Sequence, residues 1–234
     1  MMKTADRIQT SFLNGVERKA LVWLAERQPR WVTSDMLTFF GTFGSALICL
    51  GYILSNLNVQ WLWLSSLGFI VNWYGDSLDG TLARVRKTQR PVYGYYLDHT
   101  VDTINEVLMF VGIGLSPFMS LYIALALLVV YLQLTVNVSM NAHLRAEFKL
   151  TYAGLGPTEF RIVAILLNTA LILIKPWQVF EHSLTFCGLG FSAHALDYPG
   201  LFILAVLLLI YLITLISDIR YYAKIDPLPE KKDV

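Results

Sequence analysis

Apolar residues run along this chain in long blocks, and polar residues gather between them. Six windows are predominantly apolar over lengths suited to membrane-spanning helices: roughly 36–55, 60–78, 97–115, 119–140, 159–174 and 201–217. A spanning helix needs about 20 such residues, so the fifth window is the shortest that qualifies. The stretch before them is patterned differently. Ile8, Phe12, Val16, Leu21 and Leu24 alternate in helical steps with Arg7, Glu17, Arg18 and Lys19, as in a helix lying along the headgroup region. The pattern predicts an all-α integral membrane protein in three parts. An amphipathic juxtamembrane helix occupies residues 1–30, a six-helix transmembrane domain residues 31–222, and a charged tail residues 223–234. Pro29 is expected to end the first helix, and Ser34 or Asp35 to cap the next. The juxtamembrane helix reads as a solvated cap without a part in chemistry.

Composition agrees with this pattern. The 234 residues are 56% hydrophobic and only 15% charged, with a mean hydropathy of +0.54. The formal net charge of +1 hides a strong asymmetry. Of the 18 lysines and arginines, all but Lys175 fall in segments on the same side of the membrane as the N-terminus. Cytoplasmic loops carry the excess of Lys and Arg. Both termini and the loop between the second and third windows are therefore expected in the cytoplasm, with the protein in the inner membrane. No cleavable signal peptide is expected, because Asp6, Arg7, Glu17, Arg18 and Lys19 stand where an apolar run would be. Cys49 and Cys187 are too few for a disulfide framework. Trp61 and Trp63 fit an interfacial aromatic belt, and the longest outer segment, 176–199, reads as a loop without metal-ligand spacing. There is no internal repeat, P-loop, Rossmann fingerprint, nucleophile elbow or H-E-x-x-H, and no nucleic-acid partner is expected.

The chemistry is concentrated between Asp76 and Asp102. The string reads D-x-x-D-G-x-x-A-R, then Val85 to Tyr93, then G-x-x-x-D-x-x-x-D. Asp76 and Asp79, like Asp98 and Asp102, are spaced to share a helix face. Two helices that bring these pairs together would surround one point with carboxylates. So much negative charge in a poorly hydrated place demands a cation, and oxygen ligands favour a hard divalent ion such as Mg²⁺ or Mn²⁺. Gly80 and Gly94 leave room for close backbone approach to a ligand, the small Ala83 keeps the same face open, and Arg84 offers a planar fork for phosphate oxygens. His99 is turned about 100° from Asp98 on the helix, which suits a helix contact better than a ligand. Asn105 and Glu106 continue the polar stripe below Asp102, and an acid at that depth must be paired, protonated or in water.

This string closely resembles the signature of the CDP-alcohol phosphotransferase (CDP-alcohol phosphatidyltransferase) family, although the stretch Val85 to Tyr93 is one residue longer than the family's usual spacing. The resemblance implies an integral membrane enzyme, expected as a homodimer. Such an enzyme moves a substituted phosphate from a CDP-linked donor to a hydroxyl acceptor and releases CMP. It further implies two divalent ions on Asp76, Asp79, Asp98 and Asp102, with Asp102 taking the acceptor's proton. Asp76, Asp79, Gly80, Ala83, Arg84, Gly94 and Thr38 are the implied donor-binding residues. Arg145-Ala-Glu147 and Glu159-x-Arg161 look like elements of members that use CDP-diacylglycerol. That likeness makes Arg145, Lys149, Glu159 and Arg161 candidates for binding an acceptor or lipid phosphate, against the simpler reading that the basic ones serve topology. A CDP-linked headgroup donor with a lipid alcohol acceptor, as in choline and ethanolamine phosphotransferases, is the alternative within the class. A divalent-cation transporter is the alternative outside it. That alternative predicts acidic residues in both halves of the membrane, whereas these lie in one, and it leaves Gly80, Ala83, Arg84 and Gly94 without a role.

Overall fold

The computed structural model describes residues 6–8, 14–145, 147–149, 156–186 and 189–228. The chain is all-α in its framework, and each apolar window becomes a helix. In order these are α1 (Asn14–Glu26), α2 (Ser34–Leu54), α3 (Leu62–Val85), α4 (Pro91–Gly114), α5 (Leu121–Arg145), α6 (Pro157–Leu173), the single turn α7 (Lys175–Gln178) and α8 (Asp197–Ile225). Three helical segments are long and apolar enough to cross a membrane among the described residues: Ser34–Leu54, Leu121–Leu144 and Asp197–Ile225. The others differ for a physical reason. Helix α3 carries Asn72, Asp76, Asp79 and Arg84, α4 carries Asp98, Asp102, Asn105 and Glu106, and α6 has only 17 residues.

Local chemistry sets the helix ends. Thr33, rather than Ser34 or Asp35, caps α2: its hydroxyl accepts from the Met36 N–H at 3.2 Å, while Ser34 turns its hydroxyl to the Asp79 carbonyl at 2.8 Å. Pro91 and Pro157 open α4 and α6, where a missing N–H costs nothing. Helix α3 does not stop at the end of its apolar window but continues through the motif to Val85, giving it a length of about 36 Å, several Å more than the hydrocarbon core. It then closes on a Schellman motif. The N–H of Lys87 bonds to Arg84 O and that of Thr88 to Ala83 O, with Lys87 left-handed at φ 55°. The basic loop, with its one extra residue, is thus a tight turn.

The closest packing lies between α2 and α3. A Cβ on Gly75 would stand 2.3 Å from Gly41 N, and one on Gly44 would stand 2.4 Å from Asn72 N. Backbone meets backbone there, and only glycine permits it. One apolar cluster, including Ile48, Leu62, Phe69, Phe118 and Leu171, joins α2, α3 and α6 to the segment before α5. A second, of Leu21, Ala25, Val32, Leu37, Leu78 and Leu82, fastens α1 onto α2 and α3. Helix α8 lies against α5 and leaves Phe202, Leu209, Ile213 and Ile219 exposed, as expected of a surface meant for lipid rather than water.

Two small sheets add to the helical frame. Asp6–Ile8 pairs in parallel with Glu147–Lys149. Between α7 and α8, where a loop is expected from sequence, Glu181–Phe186 and Leu189–His194 form an antiparallel hairpin. The hairpin is anchored at its base by Asp197, whose carboxylate accepts from the N–H groups of Ser120 and His194 at 2.7 Å each.

Candidate metal and phosphate site

Helices α3 and α4 are joined only by the five-residue turn 86–90. They hold Asp76, Asp98 and Asp102 so that one carboxylate oxygen from each lies within 4.8 Å of the others. The i, i+4 step puts Asp98 and Asp102 on one face of α4, and Asp76 comes from α3 to meet them. All three are half-buried. Three such carboxylates repel one another, and the all-oxygen donor set fits a hard divalent cation.

Asp79 stands beside this trio with a different set of partners. It is 8% exposed. Its Oδ2 accepts from the Thr38 hydroxyl at 2.6 Å, and its Oδ1 accepts from the Gly80 N–H. Thr38, expected as a donor-binding residue, is therefore placed by α2 against the second aspartate of the motif. Around Gly80 and Gly94 there is space: a Cβ on Gly94 would meet nothing within 4 Å, and one on Gly80 only the end of the Arg84 side chain at 3.4 Å. Ala83 is half-buried and Arg84 exposed, with one Nη group bonded to Thr81 Oγ1 at 2.9 Å. These residues line an open face of α3 beside the carboxylates.

Arg161 reaches this centre from α6. Its Nη2 meets Asp76 Oδ2 at 2.6 Å, with the Arg161 side chain 11% exposed, and its Nε donates to Asn72 Oδ1 at 2.9 Å. Asn72 completes the junction by donating to Gly41 O at 3.1 Å and Ser45 Oγ at 3.0 Å. Sequence reading passes over Asn72 because it lies deep in an apolar window. Its position four residues before Asp76, on the same helix face, is the signal that could find it. Glu159 lies in the first turn of α6, where its carboxylate accepts from the Gly156 N–H at 2.9 Å; it holds the helix start. Arg145 ends α5 and Lys149 ends the short strand at 147–149, but their side chains lie outside the described residues, as do Cys187 and the loop 150–155.

Other polar residues settle into the frame. Arg86, in the basic turn, donates to the carbonyls of Val32, Gln28 and Pro29, which ties the α3 terminus to the α1–α2 connection. His99 stacks on Tyr95 at 4.0 Å between ring centroids, with its Nδ1 at 3.0 Å from Tyr95 O. Below the trio, Glu106 accepts from Thr135 at 3.2 Å through Oε1, while its Oε2 is buried without a hydrogen-bond partner among the described residues.

A helical membrane frame that gathers carboxylates, an arginine and an open glycine-lined face defines a class: a membrane protein with an acidic cluster that could hold a metal ion. The chain belongs to the CDP-alcohol phosphatidyltransferase family, whose match extends over residues 31–216. This is a family of membrane-integral transferases that act on CDP-alcohol donors and hydroxyl acceptors. A phosphatidylinositol phosphate synthase of Cutibacterium acnes is 36% identical over 84 residues, which cover 36% of this chain and 38% of that protein. An archaetidylinositol phosphate synthase of Methanothermobacter thermautotrophicus is 27% identical over 159 residues, covering 68% of this chain and 77% of that protein.

Proposed function

We propose that this chain transfers a phosphatidyl-type group from a CDP-linked lipid, CDP-diacylglycerol, to the hydroxyl of a phosphorylated polyol in phospholipid synthesis, releasing CMP. The observation that carries this reading is the meeting of Asp76, Asp98 and Asp102 within 4.8 Å, with Arg161 on Asp76. The acceptor class is supported by the relatives' names, both inositol phosphate lipid synthases, and by a guanidinium suited to phosphate oxygens.

Mg²⁺ or Mn²⁺, as a pair held by Asp76, Asp98, Asp102 and Asp79, would supply neutralisation of the charge on the donor diphosphate. The protein's own residues do the rest. Gly80, Ala83 and Gly94 leave the face on which the nucleotide lies, with Thr38 holding Asp79 in place and Arg84 addressing phosphate oxygens. Arg161 orients the acceptor: with Nε and Nη2 committed to Asn72 and Asp76, Nη1 is its donor for the acceptor phosphate. The acceptor oxygen attacks the phosphorus that bears the lipid. The bond from that phosphorus to the CMP oxygen breaks, CMP leaves with the electron pair, and the hydroxyl proton passes to Asp102.

In this reading the five helices α2 to α6, together with α8, make the six spans. Both termini and the site face the cytoplasm of the inner membrane, and the unit is a homodimer. The basic asymmetry supports the orientation. The test is a panel of acceptors offered to purified protein with radiolabelled CDP-diacylglycerol. CMP release with inositol phosphate, and little with inositol, glycerol or serine, is expected. Equal turnover with unphosphorylated alcohols would remove the role given to Arg161.

A further inference from the structure

The three elements that build the site are not held together by the site alone. Glu17, in the first turn of α1, accepts two hydrogen bonds through one oxygen. Trp73 Nε1 on α3 donates to Oε1 at 2.8 Å, and the Thr158 hydroxyl on α6 donates to the same atom at 2.6 Å. The placement of both donors is specific. Trp73 precedes Asp76 by three residues, and Thr158 precedes Arg161 by three. In a helix that step is nearly one turn. The Glu17 oxygen therefore bridges α3 and α6 beside the junction at which Arg161 grips Asp76 and Asn72, Trp73 being the chain neighbour of Asn72. Helix α1 is in turn fixed to α3 by the packing of Leu21 and Ala25 on Leu78 and Leu82 and by Gln28 donating to Tyr74.

We infer that Glu17 is a positioning residue for the transfer reaction. It sets the separation of α3 and α6, and so the reach of Arg161 toward the acceptor. The amphipathic N-terminal helix is then part of the acceptor site rather than a cap upon it. The inference rests on the reading of Asp76 and Arg161 as the reaction centre. Its chemistry is acceptance of two hydrogen bonds by one oxygen, which an amide oxygen can also perform.

The discriminating experiment is steady-state kinetics of the full-length protein, with CDP-diacylglycerol saturating and the acceptor varied. Glu17→Ala is expected to raise the acceptor KM about tenfold, since it removes two hydrogen bonds of ordinary net strength. The change in kcat should stay below about twofold, because the interaction serves the ground and transition states equally. Glu17→Gln should stay within about twofold of wild type. In an Arg161→Lys background, Glu17→Ala should add little, because both changes act on one junction. Should Glu17→Ala not fold, Thr158→Val removes one bond at nearly constant shape and should raise the acceptor KM about threefold. An unchanged KM in Glu17→Ala or Thr158→Val, a Gln variant as impaired as the Ala variant, or full additivity with Arg161→Lys would each overturn the inference. Asp76→Ala serves as the control. If it keeps wild-type CMP release, the site assignment falls and this inference with it. If it is inactive while Glu17→Ala behaves as wild type, only the role of Glu17 falls.

Discussion

Asp102 and Asp79 illustrate how position divides labour among residues of one type. Asp102 sits in the trio with Asp76 and Asp98, whereas Asp79 is taken up by Thr38 and the Gly80 N–H. Replacing Asp102 by Asn keeps the size and one acceptor oxygen but removes the carboxylate base. Turnover should fall at least ~10²-fold while donor binding is largely spared. Asp79→Ala should lose metal and donor binding together. Calorimetry with a CDP analogue and Mn²⁺ separates the two, and an Asp102→Asn protein that turns over normally would move the base to another group, with Glu106 next to test. The aspartates can be read from spacing because helical periodicity alone decides which carboxylates share a face. Asn72 is harder to read, since a single amide in an apolar run carries no period of its own. The role of Arg86 is hard to read for a related reason: charge predicts sidedness, but not that a guanidinium will be consumed by three backbone carbonyls.

At the scale of elements, the α2–α3 seam fixes the geometry on which the site depends. Gly75 lies immediately before Asp76, and its Cα backs onto Gly41. Gly75→Ala should destabilise the protein by about 2 kcal/mol or more, because the added methyl meets backbone that cannot yield; the drop in Tm in detergent measures it. Gly94→Ala is the contrast. With nothing within 4 Å of its added Cβ, it should leave Tm unchanged and raise the donor KM by filling the nucleotide face. The helices themselves are legible as apolar windows. Their ends are less so, because α3 runs on through polar residues to Val85 and Thr33 outcompetes its neighbours as a cap. The hairpin between α7 and α8 is not legible. Its strands carry no strict alternation, and their pairing joins two segments in a way that local patterning does not report.

For the whole molecule, the exposed apolar flanks of α8 and the one-sided distribution of basic residues describe an object ordered by a bilayer. With the proposed orientation, a cysteine introduced in the hairpin strand Glu181–Phe186 should react with a membrane-impermeant reagent applied to intact cells. One at Lys87, in the turn between α3 and α4, should react only after lysis. The opposite pattern would place the site outside the cell. The family whose model matches residues 31–216 is one of transferases rather than transporters. The central claim is that the carboxylates of α3 and α4 serve a metal-dependent transfer. Its most direct test is CMP release from CDP-diacylglycerol and inositol phosphate by protein stripped with EDTA, with and without added Mg²⁺ or Mn²⁺. The account predicts no release from stripped protein, recovery on adding either ion, and no recovery in Asp98→Ala. Undiminished release in metal-free buffer, or an Asp98→Ala protein that responds to metal as wild type does, would contradict it.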